Sequence, residues 1–122
     1  MSNVRVDHEK NRLYITLKGV FNLPVAKEVK GLLEDEIADI PAGFDVITDL
    51  TRVEIGYLCA LPIFKEMVEV LADKEVGTVV RVVDKGSTIL QQLTNAAAQL
   101  GYYQPQYVST VDEAEKLLDS QS

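Results

Sequence analysis

The chain has one histidine and one cysteine, and no tryptophan. A zinc site needs clustered His and Cys ligands. His8 has no second His or Cys near it, so it reads as a structural residue on the first strand or at its frayed end, and no metal is expected. Cys59 stands just before an apolar-striped segment that reads as a helix. A helix N-terminus or a basic neighbour would stabilise its thiolate, but the nearest basic residues, Arg52 and Lys65, are not adjacent. Free Cys is among the most buried residue types. Cys59 is therefore expected to be buried and inert, with an activated thiol as the alternative. The turn Asp84-Lys85-Gly86-Ser87-Thr88 precedes a third helical pattern. Lys85, Gly86, Ser87 and Thr88 could hold an anion on that helix N-terminus, although Ser or Thr at such a place is more often a cap. The chain has no GxGxxG and no Walker A motif, nor any acid–base pair or nucleophile with a visible partner. No catalytic residue and no cofactor are expected.

The elements that would position these residues follow from periodicity. Val4, Val6 and His8 alternate with Arg5, Asp7 and Glu9; Leu13, Ile15 and Leu17 alternate with Tyr14, Thr16 and Lys18. A period of two predicts two half-buried strands, and the short polar link 9–12 makes them an antiparallel hairpin. Gly19 to Asn22 breaks the pattern. Asn22 as cap and Pro24 in the first turn open a helix with Val25, Val29, Leu32, Leu33, Ile37 and Ile40 as its stripe, stopping before Pro41. Phe44 to Leu50 reads as a third strand. Leu61, Phe64, Met67, Val68 and Leu71 mark a second helix with Pro62 in its first turn. The β-branched run from Val76 to Val83 suits an interior strand covered on both faces. A third helix carries Ile89, Leu90, Leu93, Ala97 and Leu100 and stops at Gly101. Gln104 to Val108 is a short last strand. Thr110 and Glu113 form a capping box for a terminal helix that packs Val111, Ala114, Leu117 and Leu118.

The predicted order is β-β-α-β-α-β-α-β-α: an α/β fold with a mixed, mostly parallel sheet flanked by helices. The third, fourth and fifth strands and four helices are expected to supply the core, with Val79 to Val83 among its most buried segments. At 122 residues the chain fits one domain, 1–122. No stretch approaches the length of a membrane span, and the start of the chain lacks a signal-peptide pattern, so a cytoplasmic protein is expected. Twelve Lys plus Arg against nineteen Asp plus Glu give a net charge of −7. No basic run stands against this acidity, so neither nucleic acid nor an anionic membrane is an expected partner.

Asp49-Leu50-Thr51-Arg52-Val53 resembles the Asp-Leu-Ser-x-Val segment of STAS domains, the fold of anti-sigma-factor antagonists and of the cytoplasmic tails of sulphate transporters. Leu61 takes the place of the Leu that closes the family's following Asp-Ser-Ser-Gly-Leu. Leu17-x-Gly19, Leu100-Gly101, and Ser109 before Asp112-Glu113-Ala114 resemble other family positions, and the element order matches along nearly the whole chain. Family members that act as phospho-switches accept phosphate on a Ser in Asp-Ser-Ser-Gly. Here those four positions are Tyr57, Leu58, Cys59 and Ala60, with Cys59 at the phosphoacceptor position. A thiol is no substrate for a serine kinase. The resemblance thus implies the fold without the switch. A receiver-like phosphoacceptor at Asp49 is disfavoured, because the initial hairpin and the absence of a Lys after the last strand do not fit that family.

Two function classes follow. The first is a non-enzymatic, regulatory interaction domain, its partner surface at Gly56, Tyr57, Leu58, Cys59 and Ala60. The partner would be an anti-sigma-factor-like protein or a second copy in a homodimer. The same side chains could instead tuck into the core. The second class is a carrier of an apolar molecule or nucleotide, bound beyond the carboxyl ends of the strands near Thr51, Tyr57 and the turn from Asp84 to Thr88.

Overall fold

The antiparallel hairpin forms as the alternation requires. β1 (Asn3–Asp7) pairs with β2 (Arg12–Phe21), Val4 opposite Ile15 and Val6 opposite Leu13. The Asp7 carboxylate accepts the backbone N–H groups of Glu9 and Lys10 at 3.1 and 3.2 Å, and Asn11 takes a left-handed φ of 53°, a conformation that Asn tolerates in turns. His8 lies in this turn and is exposed. The chain is described here from a computed structural model, over residues 2–84 and 105–121.

The remaining elements are α1 (Leu23–Ile37), β3 (Asp45–Gly56), α2 (Leu61–Asp73), β4 (Val79–Val82), β5 (Gln106–Val108) and a C-terminal helix, α3 (Val111–Asp119). A 3-10 turn over Leu58–Ala60 leads into α2. The five strands lie side by side in chain order, and all pairs after the hairpin are parallel. The expected mixed, mostly parallel α/β sheet is thus present. The expected third helix over Ile89 to Leu100, its stop at Gly101, and the candidate anion turn Lys85, Gly86, Ser87 and Thr88 lie outside the described residues.

Each sheet face has its own core. Leu13, Ile15 and Leu17 of β2, Val46 and Leu50 of β3 and Val79 of β4 meet Ala26, Val29, Leu33 and Ile37 of α1 and Phe64, Met67, Val68 and Leu71 of α2. Tyr14, Ile47, Val80 and Val82, of opposite phase, meet Ala114 and Leu118 of α3. Val79 to Val83 is buried throughout, as a strand covered on both faces should be. The expected core shifts in one respect: β2 is a main contributor, while β5 is a three-residue edge strand with Gln106 and Tyr107 exposed.

Several boundaries differ from the sequence reading for identifiable reasons. β2 runs through Gly19 to Phe21, because Gly19 takes φ +69° without steric cost and lets the strand kink rather than stop. β3 runs six residues past Leu50. α1 ends at Ile37, and Ile40 reaches the core from the turn that follows; Leu32 and, in α3, Val111 are exposed instead of packed. The caps stand as read: Asn22 accepts the N–H of Val25 at 3.1 Å, and Thr110 Oγ1 accepts the N–H of Glu113 at 3.1 Å. The return half of the box differs, since the Glu113 carboxylate accepts the Thr110 hydroxyl at 3.3 Å. Gly77 allows β3 and β4 to start close together. Its N–H donates to Phe44 O at 2.7 Å, and a Cβ there would lie 2.7 Å from Gly43 O.

Candidate functional site

The Asp-Leu-Thr segment sits inside β3 and shapes it. Thr16 is level with Asp49, but Lys18 is level with Arg52, so β3 carries an extra residue there; a second slip separates Gly19–Val53 from Val20–Ile55. At the first slip the Asp49 carboxylate accepts both the Thr51 N–H at 3.0 Å and the Thr51 hydroxyl at 2.6 Å. This local turn holds the bulge, which twists and bends the strand. Asp49 and Thr51 therefore act on each other, and neither is a free reactive group.

Past the bulge β3 outruns its neighbour. β4 is level with β3 only as far as Asp49, while β3 stays paired to β2 as far as Phe21–Gly56. The last turn of this two-stranded ribbon is pinned by Tyr57 N–H to Phe21 O at 3.0 Å. The ribbon carries Gly56 to Ala60 past the end of β4. Val20, Ile55, Tyr57 and Leu58 are exposed, Leu58 by 65%. Lys18 and Arg52 are level with each other one step back along the ribbon. Ala60 is fully buried and turns the chain into α2.

Cys59 is exposed, which corrects the expectation of a buried thiol. The reason is the 3-10 turn. Its Ala60 N–H to Tyr57 O bond of 3.0 Å packs Ala60 inward and leaves Leu58 and Cys59 outward. No side chain caps the start of α2, where a Ser, Thr or Asp would ordinarily accept an N–H. Among the described residues, no group of three His, Cys, Asp or Glu could hold a metal ion.

Two arginines were missed by the sequence reading. Arg12, at the start of β2, is buried and reaches α3. Its Nη1 is 2.7 Å from Glu115 and its Nη2 3.1 Å from Asp119, while Tyr14 donates its hydroxyl to the same Glu115 oxygen at 2.8 Å. Burial opposes the Arg12 charge, but hydrogen bonds to Glu115, Asp119 and Tyr14 outweigh it and hold the guanidinium above its ordinary pKa. Burial and the hydrogen bond to Glu115 raise the Tyr14 phenol, against the opposing pull of Arg12. The second, Arg81, is 1% exposed in the centre of β4. The available signal was a charge at an inward phase of a continuously apolar run.

No family model matches the chain, and no curated protein sequence matches it. Solved structures do. A DUF3478-family protein with a SpoIIAA-like fold from Shewanella loihica superposes with a TM-score of 0.71 at 15% identity, over 97% of this chain and 92% of that one. The anti-sigma factor antagonist SpoIIAA in its unphosphorylated form gives 0.63 at 10% identity, over 100% and 99%. An anti-sigma factor antagonist from Mycobacterium paratuberculosis gives 0.66 at 18% identity, over 98% and 93%. The chain thus has the SpoIIAA-like fold, and it is a STAS-like domain in architecture.

Proposed function

We propose that this chain is a non-enzymatic, regulatory protein-interaction domain that works without a phosphoacceptor serine. The carrying observation is the exposure of Tyr57, Leu58 and Cys59 on a ribbon that projects past β4. Exposed apolar clusters mark interaction sites more often than scattered single residues do. The likeness to two anti-sigma factor antagonists supports a protein partner, met through Gly56 to Ala60 with Val20 and Ile55 beside them. Between Gly56 and Ala60 the one hydroxyl is that of Tyr57, so a serine kinase has no acceptor there. A cytoplasmic setting belongs to the same reading, since an exposed free thiol persists where thiols are kept reduced. Without its partner the chain self-associates through this patch, because elsewhere the net charge of −7 makes close approach of two copies unfavourable.

Leu58→Asp tests the reading. Leu58 is 65% exposed, so the variant keeps its melting temperature to within a few degrees, while sedimentation velocity shows less dimer than wild type at equal concentration. A wild-type protein that stays monomeric at high concentration would remove the self-association. A strongly lowered melting temperature in the variant would place Leu58 in the core and remove the surface itself.

A further inference from the structure

Arg81 is a buried cation with no carboxylate partner among the described residues. It shares the phase of Val79 and Val83, and so points toward α2. Its Cζ lies 5.2 Å from the centre of the Phe64 ring and 5.9 Å from that of Tyr107, and its Nη1 donates to the Tyr107 hydroxyl oxygen at 3.1 Å. No described Asp or Glu pairs with it. Residues 85–104 contain no Asp or Glu in their sequence. A tyrosine oxygen and two ring faces orient a guanidinium but do not cancel its charge. Buried charges are otherwise paired, because an isolated ion in an apolar interior is very costly. The contrast with Arg12, which meets two carboxylates, shows that this fold can supply counter-ions where a buried Arg is purely structural.

Beside Arg81 the sheet and α2 do not close fully. A cavity of about 10 Å³ is bordered by Arg81 and Thr48, which are level with each other on β4 and β3, and by Phe64, Met67, Val68 and Leu71 of α2. That volume accommodates about one water molecule. Its walls are one cation, one hydroxyl, the apolar side chains of Ile15 and Val79 on the sheet, and an apolar helix face. The inner face of α2 is apolar and includes the adaptable Met67. A larger guest therefore enters by displacing apolar contacts, and outward movement of α2 would also loosen the partly exposed Lys30–Glu66 pair that joins it to α1. A single positive charge matches a monoanion; a dianion would bring uncompensated charge into an apolar site.

We propose that Arg81 is the anion-holding residue of a binding site for a small organic monocarboxylate. The carboxylate pairs with the guanidinium and accepts the Thr48 hydroxyl, and the apolar chain lies along Phe64, Met67, Val68 and Leu71 as α2 moves outward. This site is separate from the Gly56 to Ala60 surface and does not depend on its function.

The test is titration of the full chain with hexanoate, hexanol and inorganic phosphate by calorimetry, repeated on Arg81→Met. Hexanoate binds wild type, hexanol and phosphate do not at the same concentrations, and Arg81→Met weakens hexanoate binding by roughly thirtyfold or more, as expected when one member of a buried charge pair is removed. In parallel, the guanidinium resonances of wild-type Arg81 shift on hexanoate addition, which decides the matter even if the variant fails to fold. Equal binding of hexanol, binding of phosphate alone, no binding of hexanoate, unmoved Arg81 resonances, or retained affinity in Arg81→Met would each overturn the proposal.

Discussion

Removing Glu115 should release α3 from the sheet. This helix is nine residues long and buries only Ala114 and Leu118, and helices this short are not stable alone. The Glu115 carboxylate takes Arg12 Nη1 at 2.7 Å and the Tyr14 hydroxyl at 2.8 Å, with Lys10 Nζ at 3.9 Å. Arg12 is 3% exposed and its Nε has no described partner, so the guanidinium depends on these carboxylates. In Glu115→Ala its remaining described carboxylate is Asp119, at 3.1 Å on a side chain 59% exposed. Breaking a buried pair from one side costs about 3–5 kcal/mol. Asp119 offsets part of that, while the stranded Tyr14 hydroxyl adds about 1 kcal/mol or more. The expected net loss is about 3–4 kcal/mol, a large part of the stability of a small domain. Asp119→Ala should cost only about 0.5–1 kcal/mol, as solvent-facing ion pairs do. Arg12→Met with Glu115→Leu should return to within about 1 kcal/mol of wild type, because no buried charge is left unpaired. Urea unfolding gives these values, and amide exchange at Ala114 to Leu118 shows whether α3 opens first. The reasoning fails if Glu115→Ala and Asp119→Ala cost the same, or if the double variant is as unstable as Glu115→Ala.

Tyr14 gives the fold an alkaline limit. Its phenol pKa is raised above 10.0 in the folded chain, so the folded state holds the proton more tightly than the unfolded one. That contribution is whole below about pH 10 and is lost as pH rises through the folded value. Urea midpoints should therefore fall from about pH 9 to about pH 11 more steeply in wild type than in Tyr14→Phe; equal slopes would contradict this. Gly77→Ala should lose about 1–3 kcal/mol, because its Cβ would press on the Gly43 carbonyl at 2.7 Å. Gly31→Ala, at an open position inside α1, should gain about 0.5–1 kcal/mol; thermal unfolding of the pair checks the opposite signs. Cys59 should react with a thiol reagent in the native state, and Cys59→Ser should change stability by less than about 0.5 kcal/mol. Intact-mass analysis after incubation with an anti-sigma-type kinase should find no phosphate between Gly56 and Ala60.

The order of the described elements, the hairpin and both side-chain caps were legible because each rests on local spacing. Val4, Val6, Leu13, Ile15 and Leu17 declare their faces by alternation, and Asn22 and Thr110 declare their caps by position. The length of β3 was not legible. Its two register slips depend on β2, and the Asp49–Thr51 turn that holds the first looks in sequence like the end of a strand. Arg12 and Arg81 were hidden for another reason. A charged residue in a strand reads as solvent-facing until the neighbouring element is placed. Only α3 brings Glu115 and Asp119 to Arg12, across more than a hundred residues of chain.

The same geometry explains how the site can diverge while the fold does not. None of the residues from Glu54 to Cys59 is among the buried core, whereas Ala60 is fully buried between the ribbon and α2. Substitutions on the overhang therefore change what the surface offers at little cost to packing. At Ala60 any larger side chain would have to displace core atoms. Polar residues at Tyr57, Leu58 and Cys59 would leave Leu13, Val46 and Phe64 undisturbed. Among the described residues the core thus places no demand on residue type at these positions. The proposed partner would cover Tyr57 and Leu58, and Leu58→Asp separates that proposal from a surface that is apolar without consequence.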